Sequence, residues 1–411
     1  MRLTVSVLLG GFSILLIGFG LLGTLLGVRA TIEAFSNMET GIIMAGYYAG
    51  YILGTWQGLG IVQRVGHIRT FAAFSALGAA STLLFCLVND AWIWVLLRML
   101  NGASMVGLYM VVESWLNGQT PASSRGRVFA IYMVTTLLAL AGGQFLLLIY
   151  DPATFELFTL ATVLITLAII PVAITKVTEP SIEEHEHLPL IRLFKLSPFG
   201  MAGVFGAGVV SGAFWGMTSV FGIRLELNDV DIAMLMSTTI IGGALLQIPI
   251  GHLSDRYDRR VVLLLVSLSA AIMAAFSGYM VMQEWQGLSL VTFLYGGLMF
   301  AVYAISVAHT NDHLTTGQVL GATRGLLLIY GMGALIGPLA GGLVMDWVGP
   351  VGLPFMSAAT LILLSAYGIF RMTRRAPIPL VEQAEFVPLA RTSQVVMEMN
   401  PQADLEPELD L

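Results

Sequence analysis

Residues 199–224 read FGMAGVFGAGVVSGAFWGMTSVFGIR, residues 225–229 read LELND, and residues 230–256 read VDIAMLMSTTIIGGALLQIPIGHLSDR. The first and last segments are apolar over more than the roughly 20 residues that a helix needs to cross a hydrocarbon core of about 30 Å. Between them stand Asn228 and Asp229, residues that start helices and do not continue apolar runs. Alternation at period two, the mark of a membrane barrel strand, is absent. An apolar hairpin of two helices is the unit from which the rest of the chain can be read.

Working outward, the pattern gives twelve apolar runs, at roughly 4–28, 40–62, 70–88, 92–116, 128–150, 153–175, 199–223, 232–254, 261–282, 288–309, 325–345 and 351–370. The gaps carry breakers such as Asn89-Asp90, Asp151-Pro152 and Asp346 through Pro350. The first run is too long for the core of a signal peptide and is followed by another span, so it is expected to remain as a first helix. The 411 residues are 57% hydrophobic and only 11% charged, with mean hydropathy +0.85, whereas a soluble domain carries about 25% charge. A water-soluble enzyme is therefore excluded. The net charge of −6 leaves no basic face for nucleic acid. The single Cys86 forms neither a disulfide nor a metal set. No phosphate-binding or dinucleotide loop appears, and no cofactor is expected.

Lys and Arg orient the spans. With the N-terminus inside, sixteen of the nineteen fall on the cytoplasmic side, Arg29 and Arg224 fall outside, and Arg98 lies within a span. The expected fold is an all-α membrane protein of twelve transmembrane helices, with both termini cytoplasmic. The longest break divides it six and six: residues 1–175, a linker at 176–198, residues 199–371, and a tail at 372–411. The linker holds Glu183, Glu184 and Glu186, with His185 and His187 beside them, and a basic-apolar piece whose Arg192 and Lys195 suit lipid phosphates. The Pro-rich, acid-ended tail is expected to be disordered, with no catalytic role. The halves look like a diverged repeat: Tyr109 and Val112 sit about 195 residues before Tyr303 and Val307, and Arg125-Gly126 and Arg324-Gly325 each precede a span. Parallel six-span repeats are a transporter architecture.

Residues 251–260 read Gly-His-Leu-Ser-Asp-Arg-Tyr-Asp-Arg-Arg. This resembles the cytoplasmic loop signature of the major facilitator superfamily, Gly-x-Leu-(Ala/Ser)-Asp-Arg-x-Gly-Arg-Arg, with Asp258 in place of glycine. The loop after span 2, Gln63 to Arg69, is a degenerate copy with Gln63 for the acid. Arg98 through Gly102 resembles the family's Arg-x-x-x-Gly element of span 4. Gly333 through Gly342 resembles a Gly-x-x-x-Gly-Pro-x-x-Gly-Gly pattern that family exporters carry in span 5; here it lies in span 11, and span 5 holds only Gly142-Gly143-Gln144. Val112 to Asn117 (VESWLN) and Ala308 to His313 (AHTNDH) are similar to strings of a proteobacterial branch, the YcaD-like proteins. The resemblance implies alternating access in a bacterial inner-membrane monomer, with a small-molecule substrate, protons and the lipid bilayer as partners. It also implies a latch in which Asp255, with Arg256, faces the start of span 5 near Arg125 and Arg127, Arg324 being the counterpart in the other half; a carboxylate at one helix end can cap the start of a neighbouring helix.

Charge at a helix centre costs about 2.5–3.5 kcal/mol or more. Only Arg98 and Glu113 fall clearly inside a span, about 22 Å apart on one helix. Glu113 is either a proton carrier or a structural acid near Arg125 and Arg127. Arg98 is either a substrate or coupling residue or a donor to helix-end carbonyls. His309 and Asp312, at i and i+3, form a candidate proton site. Arg29 and Glu33, at i and i+4, form either an outer gate or a solvated pair. Gln144, Gln247 and Trp215, with Phe214, suit a cavity for an amphipathic solute, and the scarcity of cavity charge favours a neutral or weakly charged organic molecule. The alternative is a non-transporting receptor or assembly factor on the same scaffold.

Overall fold

The computed structural model of the chain describes residues 2–121, 124–174, 188–284, 286–383, 386 and 392–399. The acidic linker cluster Glu183, Glu184 and Glu186, with His185 and His187, lies outside the described residues.

The described chain is all-helical. In order come α1 (Arg2–Ile32), α2 (Asn37–Val65), α3 (His67–Leu84), α4 (Ala91–Gln119), α5 (Arg125–Gln144), α6 (Glu156–Leu167), α7 (Ile169–Ile174), α8 (Leu190–Leu196), α9 (Pro198–Arg224), α10 (Asp229–Arg256), α11 (Arg259–Met282), α12 (Leu288–Asn311), α13 (Thr316–Val348) and α14 (Gly352–Met372). Among the described residues ten segments have the length and apolarity of a membrane span; α2 and α3 are not among them.

The breakers read from the sequence act as caps. Asp90 accepts the Ile93 N–H at 3.0 Å and Asn228 accepts the Asp231 N–H at 2.9 Å; Ser36, not singled out in the sequence, forms a capping box with Glu39. Asp258, where the loop signature has glycine, caps α11 by accepting the Arg260 N–H at 3.0 Å. Some apolar runs are not single rods. Residues 153–175 break into α6 and α7, because Pro171 supplies no N–H for the Leu167 carbonyl. The 128–150 run ends in a 3-10 turn, Phe145–Leu148. In α8, Leu193 is buried against Gly325 while Arg192 and Lys195 stay exposed.

Small residues set the tight crossings. A Cβ on Gly50 or Gly102 would overlap the facing backbone of the α2–α4 pair, and one on Gly242 or Gly296 would do so between α10 and α12. Gly20 and Gly143 play this part between α1 and α5, as Gly208, Gly333 and Gly337 do between α9 and α13. The Gly-rich pattern at 333–342 is thus a packing seam, and the same two kinds of seam occur once among α1–α6 and once among α9–α14. The two groups meet along α2 and α13, α1 and α9, and α5 and α10.

Residues 394–399 form a 3-10 turn packed against α4, α5 and α13, and Thr392, Ser393, Val395 and Val396 are buried.

Candidate functional site

Where the two helix groups meet, a cavity of about 160 Å³ is walled by side chains of both. Its aromatic density follows from spacing. Tyr47, Tyr48 and Tyr51 lie at i, i+1 and i+4 on α2 and line one side, while Trp215, Phe300 and Tyr330, from α9, α12 and α13, line the other. Tyr330 sits 6.3 Å from Tyr51 and 5.2 Å from Tyr303, edge to face in both pairs. Gln247 reaches the cavity from α10 and donates to the Phe300 carbonyl at 3.3 Å.

Arg98 is the cation of this wall. It is 6% exposed, its guanidinium carbon stands 4.7 Å above the Tyr47 ring, and its Nε has no hydrogen-bond partner. No carboxylate among the described residues lies within ion-pair distance of it.

Further along α4, Tyr109 still lines the cavity, and Glu113 lies one turn beyond, fully buried. Its carboxylate accepts the Tyr132 hydroxyl of α5 and, on its other oxygen, the Ser393 hydroxyl of the tail. The neighbouring Ser114 and Trp115 hold His67 at the start of α3, by a 2.9 Å hydrogen bond and a 5.5 Å ring stack. Three consecutive residues of the VESWLN string therefore tie α4 to α5, α3 and the tail. Thr392 closes the cavity on this side.

The profile of the Major Facilitator Superfamily matches residues 7–327 and, in a second placement, 201–397. The chain belongs to the major facilitator superfamily. The MFS-type transporter YcaD of Escherichia coli is 26% identical over 336 residues, covering 81% of this chain and 87% of that protein. Its counterpart in Shigella flexneri is 25% identical over 344 residues, covering 83% and 89%. Among solved structures, the nucleoside transporter NupG aligns with TM-score 0.72 at 16% identity, over 91% of this chain and 100% of its own. A bacterial homologue of the human lysosomal transporter Spinster, described as inward-facing and unoccupied, aligns with TM-score 0.64 at 14% identity over 97% of each chain. The superfamily makes this a multi-pass membrane transporter and not an enzyme.

The superfamily fold sorts the residues singled out by sequence. Arg98, Trp215 and Gln247 line this cavity, whereas Gln144 does not. Gln144 is a fully buried bracket between α1 and α5: it accepts the Thr24 hydroxyl and donates to the carbonyls of Gly20 (3.1 Å) and Leu140 (2.9 Å). His309 and Asp312 do not pair. Asp312 is bound by the buried Arg259, and His309 packs between Phe199 and His313 beside the α10–α11 loop, away from the central cavity. The arginine there is the stronger partner for the carboxylate. Burial draws His313 below its usual imidazole range, and Arg375 and Arg260 add to this. Burial alone would raise Asp258, but hydrogen bonds from the Arg260 side chain and backbone outweigh it and hold the carboxyl below its usual range.

Asp255 does not reach α5. It takes Arg259 Nη2 at 3.1 Å and the Phe386 N–H of the tail at 2.7 Å. Arg256 and Arg127 are exposed, and Arg324 donates to the Trp56 carbonyl at 2.9 Å, joining α13 to α2. Arg29 and Glu33 pair, but they staple one half to itself: Arg29 also donates to the Pro152 and Ala153 carbonyls, and Glu33 accepts from Asn89 at 2.6 Å. The contacts that close the arginine-poor face between the halves went unread in the sequence. Arg224 Nε donates to Asn37 Oδ1 at 3.0 Å, Asp346 accepts the Met38 N–H at the start of α2 at 3.0 Å, and the Ser237 hydroxyl donates to the Ala141 carbonyl at 3.0 Å. The tyrosine wall and the tail were missed as well. The Tyr47-Tyr48-x-x-Tyr51 spacing was the available signal for the first; the tail gave none.

Proposed function

We propose that this protein is a proton-coupled secondary transporter that moves a small organic molecule across the bacterial inner membrane by alternating access. The ten apolar segments, with α6 and α7 together making one of them, and also α2 and α3 all cross, with both termini in the cytoplasm, so that the arginine-rich face is cytoplasmic. Residues 1–175 and 199–371 act as two six-helix bundles that rock about the shared cavity. The seams repeated between α1–α6 and α9–α14 support that division. Sealed periplasmic contacts, with the tail filling the opposite side, fit a state whose route lies toward the cytoplasm.

The observation that carries the reading is a single helix, α4, bearing a buried cation on the cavity wall and a buried carboxylate just beyond it. Glu113 is the proton carrier. Glu113 accepts the Tyr132 and Ser393 hydroxyls, and an ionisable residue buried in a span next to a cavity is by its cost a candidate for a functional role.

The experiment begins with a metabolite-wide thermal-shift screen of the purified protein, followed by uptake of the stabilising solutes into proteoliposomes under a pH gradient. Glu113→Gln is expected to abolish pH-driven accumulation while sparing solute exchange. Normal pH-driven accumulation in that variant removes Glu113 from coupling. Absence of flux for every stabilising solute favours the receptor alternative.

A further inference from the structure

We infer that the substrate is an organic anion with a single-ring-sized apolar body, its anionic group seated on Arg98; this rests on the transport reading above. A guanidinium taken out of water carries a large desolvation cost unless an anion and hydrogen bonds offset it. Arg98 has the Tyr47 ring face, a weak partner for a buried cation, an Nε with no partner, and no carboxylate among the described residues within ion-pair distance. The offsetting anion is therefore the ligand. The remaining wall is aromatic, with Tyr51 and Tyr109 from the half that carries this cation and Trp215, Phe300 and Tyr330 from the other half. Such a wall suits a flat apolar body and gives a small hydrated ion nothing to replace its shell. A volume of about 160 Å³ sets the size, because an apolar cavity of roughly 150 Å³ takes a benzene ring.

The test uses purified full-length protein with benzoate, phenylacetate and hexanoate, each beside its neutral amide, and with chloride alone. At least one acid is expected to bind ten-fold or more tightly than its amide, and Arg98→Met is expected to bring that ratio near one. Without ligand, Arg98→Met should melt no lower than wild type, since it removes an uncompensated buried charge. The proposal is overturned if no acid binds, if amides bind as well as acids, if Arg98→Met keeps the preference, or if chloride protects as well as any acid. An acid that binds but is not accumulated by proteoliposomes defeats the transport reading and leaves the anion site standing. Accumulation of a neutral solute untouched by Arg98→Met does the reverse.

The tail carries a second inference independently. We propose that the tail at Phe386 and at residues 392–396 is a gate that must leave before the cavity exchanges solute with the cytoplasm. The segment is anchored at both ends of the gap. The Phe386 N–H bonds Asp255 and its ring presses on Gly251 of α10, while Ser393 bonds Glu113 of α4. Between them Thr392 forms the cavity floor, and Val395 and Val396 are buried. Phe386 thus holds to one half and Ser393 to the other, and the Ser393 hydroxyl competes for the carboxylate assigned to the proton.

Two variants push the tail out by different forces: Ser393→Asp sets like charges together, and Val396→Asp buries a charge in an apolar seat. Each is combined with Cys86→Ser and a reporter, Thr136→Cys, on the cavity wall. Labelling by an impermeant thiol reagent in inside-out vesicles is expected to rise ten-fold or more. A rise in either variant supports the gate, and an unchanged rate in both overturns it.

Discussion

Gly342→Ala tests whether closure of the arginine-poor face is the mobile contact of the transport cycle. Gly342 on α13 faces the first turn of α2, where a Cβ would fall roughly 1 Å inside van der Waals contact with the Asn37 carbonyl. The obstacle is backbone, so no rotamer relieves it. Overpacking of this kind costs about 1–3 kcal/mol. The cost falls on the closed state alone, since α2 and α13 part at this end when the face opens. A closed-to-open ratio should therefore drop by about 5- to 150-fold (1.4 kcal/mol per factor of ten). The flanking contacts, Asp346 on the Met38 N–H and Arg224 on Asn37, would be broken with it. Spin labels placed on either side of this rim, read by pulsed electron resonance in lipid discs, measure the two populations directly. Gly142→Ala is the control, because a Cβ there meets nothing within 4 Å. If Gly342→Ala and Gly142→Ala give the same distance distribution as wild type, with unchanged melting, the α2–α13 crossing is not the moving seam and the closure assignment fails.

Arg259→Gln should lower stability by about 3–5 kcal/mol, as expected when one partner of a buried ion pair is removed, since Asp312 and Arg259 are each 1% exposed at the side chain; a melting temperature within a degree of wild type refutes this. Gln144→Leu strands the Thr24 hydroxyl and the Gly20 carbonyl and should cost about 1–3 kcal/mol while leaving solute selectivity unchanged; altered selectivity with normal melting would put Gln144 back in the site. Because burial sets His313 below 6.5, the unfolded chain binds more protons than the folded one just below that pH, so stability rises with pH through this window and is lost as pH falls from about 6.5 toward the folded value. Melting should therefore drop between pH 7.5 and 5.5, and His313→Gln should flatten the drop; an equal drop in that variant removes His313 as its source. Asp258, also depressed, adds a loss only below 3.8.

The helices were legible because a bilayer leaves the backbone few choices: a long apolar run must satisfy its own carbonyls and amides. Caps such as Asp90 and Asn228 marked the starts. The breaks inside runs were not legible, since hydropathy averages over them; Pro171 splits α6 from α7 without adding a polar residue. Cavity membership was half legible. Charge in an apolar run singled out Arg98 and Glu113, because such residues are costly enough to need a reason. Amides carry a smaller penalty and so a weaker signal, which is why Gln247 and Gln144 looked alike while one lines the cavity and the other braces α1 against α5. The tyrosines gave least: on a membrane helix their spacing does not say whether the face meets lipid or a partner bundle.

The same logic applied to Asp255 found the right interaction on the wrong face. A carboxylate at one helix end does cap the start of a neighbouring helix here, but the pair is Asp346 of α13 with the Met38 N–H of α2. Cap geometry is local, whereas which helix start lies within reach is set by how the halves are tilted. With α2 and α13 closed at the arginine-poor end, α5 and α10 join through Ser237 and Ala141 and leave their other ends to the tail. Asp255 then meets the Phe386 N–H, a backbone donor standing where the start of α5 was expected. Sequence supplies the acids and the helix starts for both tilts at once, so a motif alone names the parts of two latches and the conformation selects which of them is made.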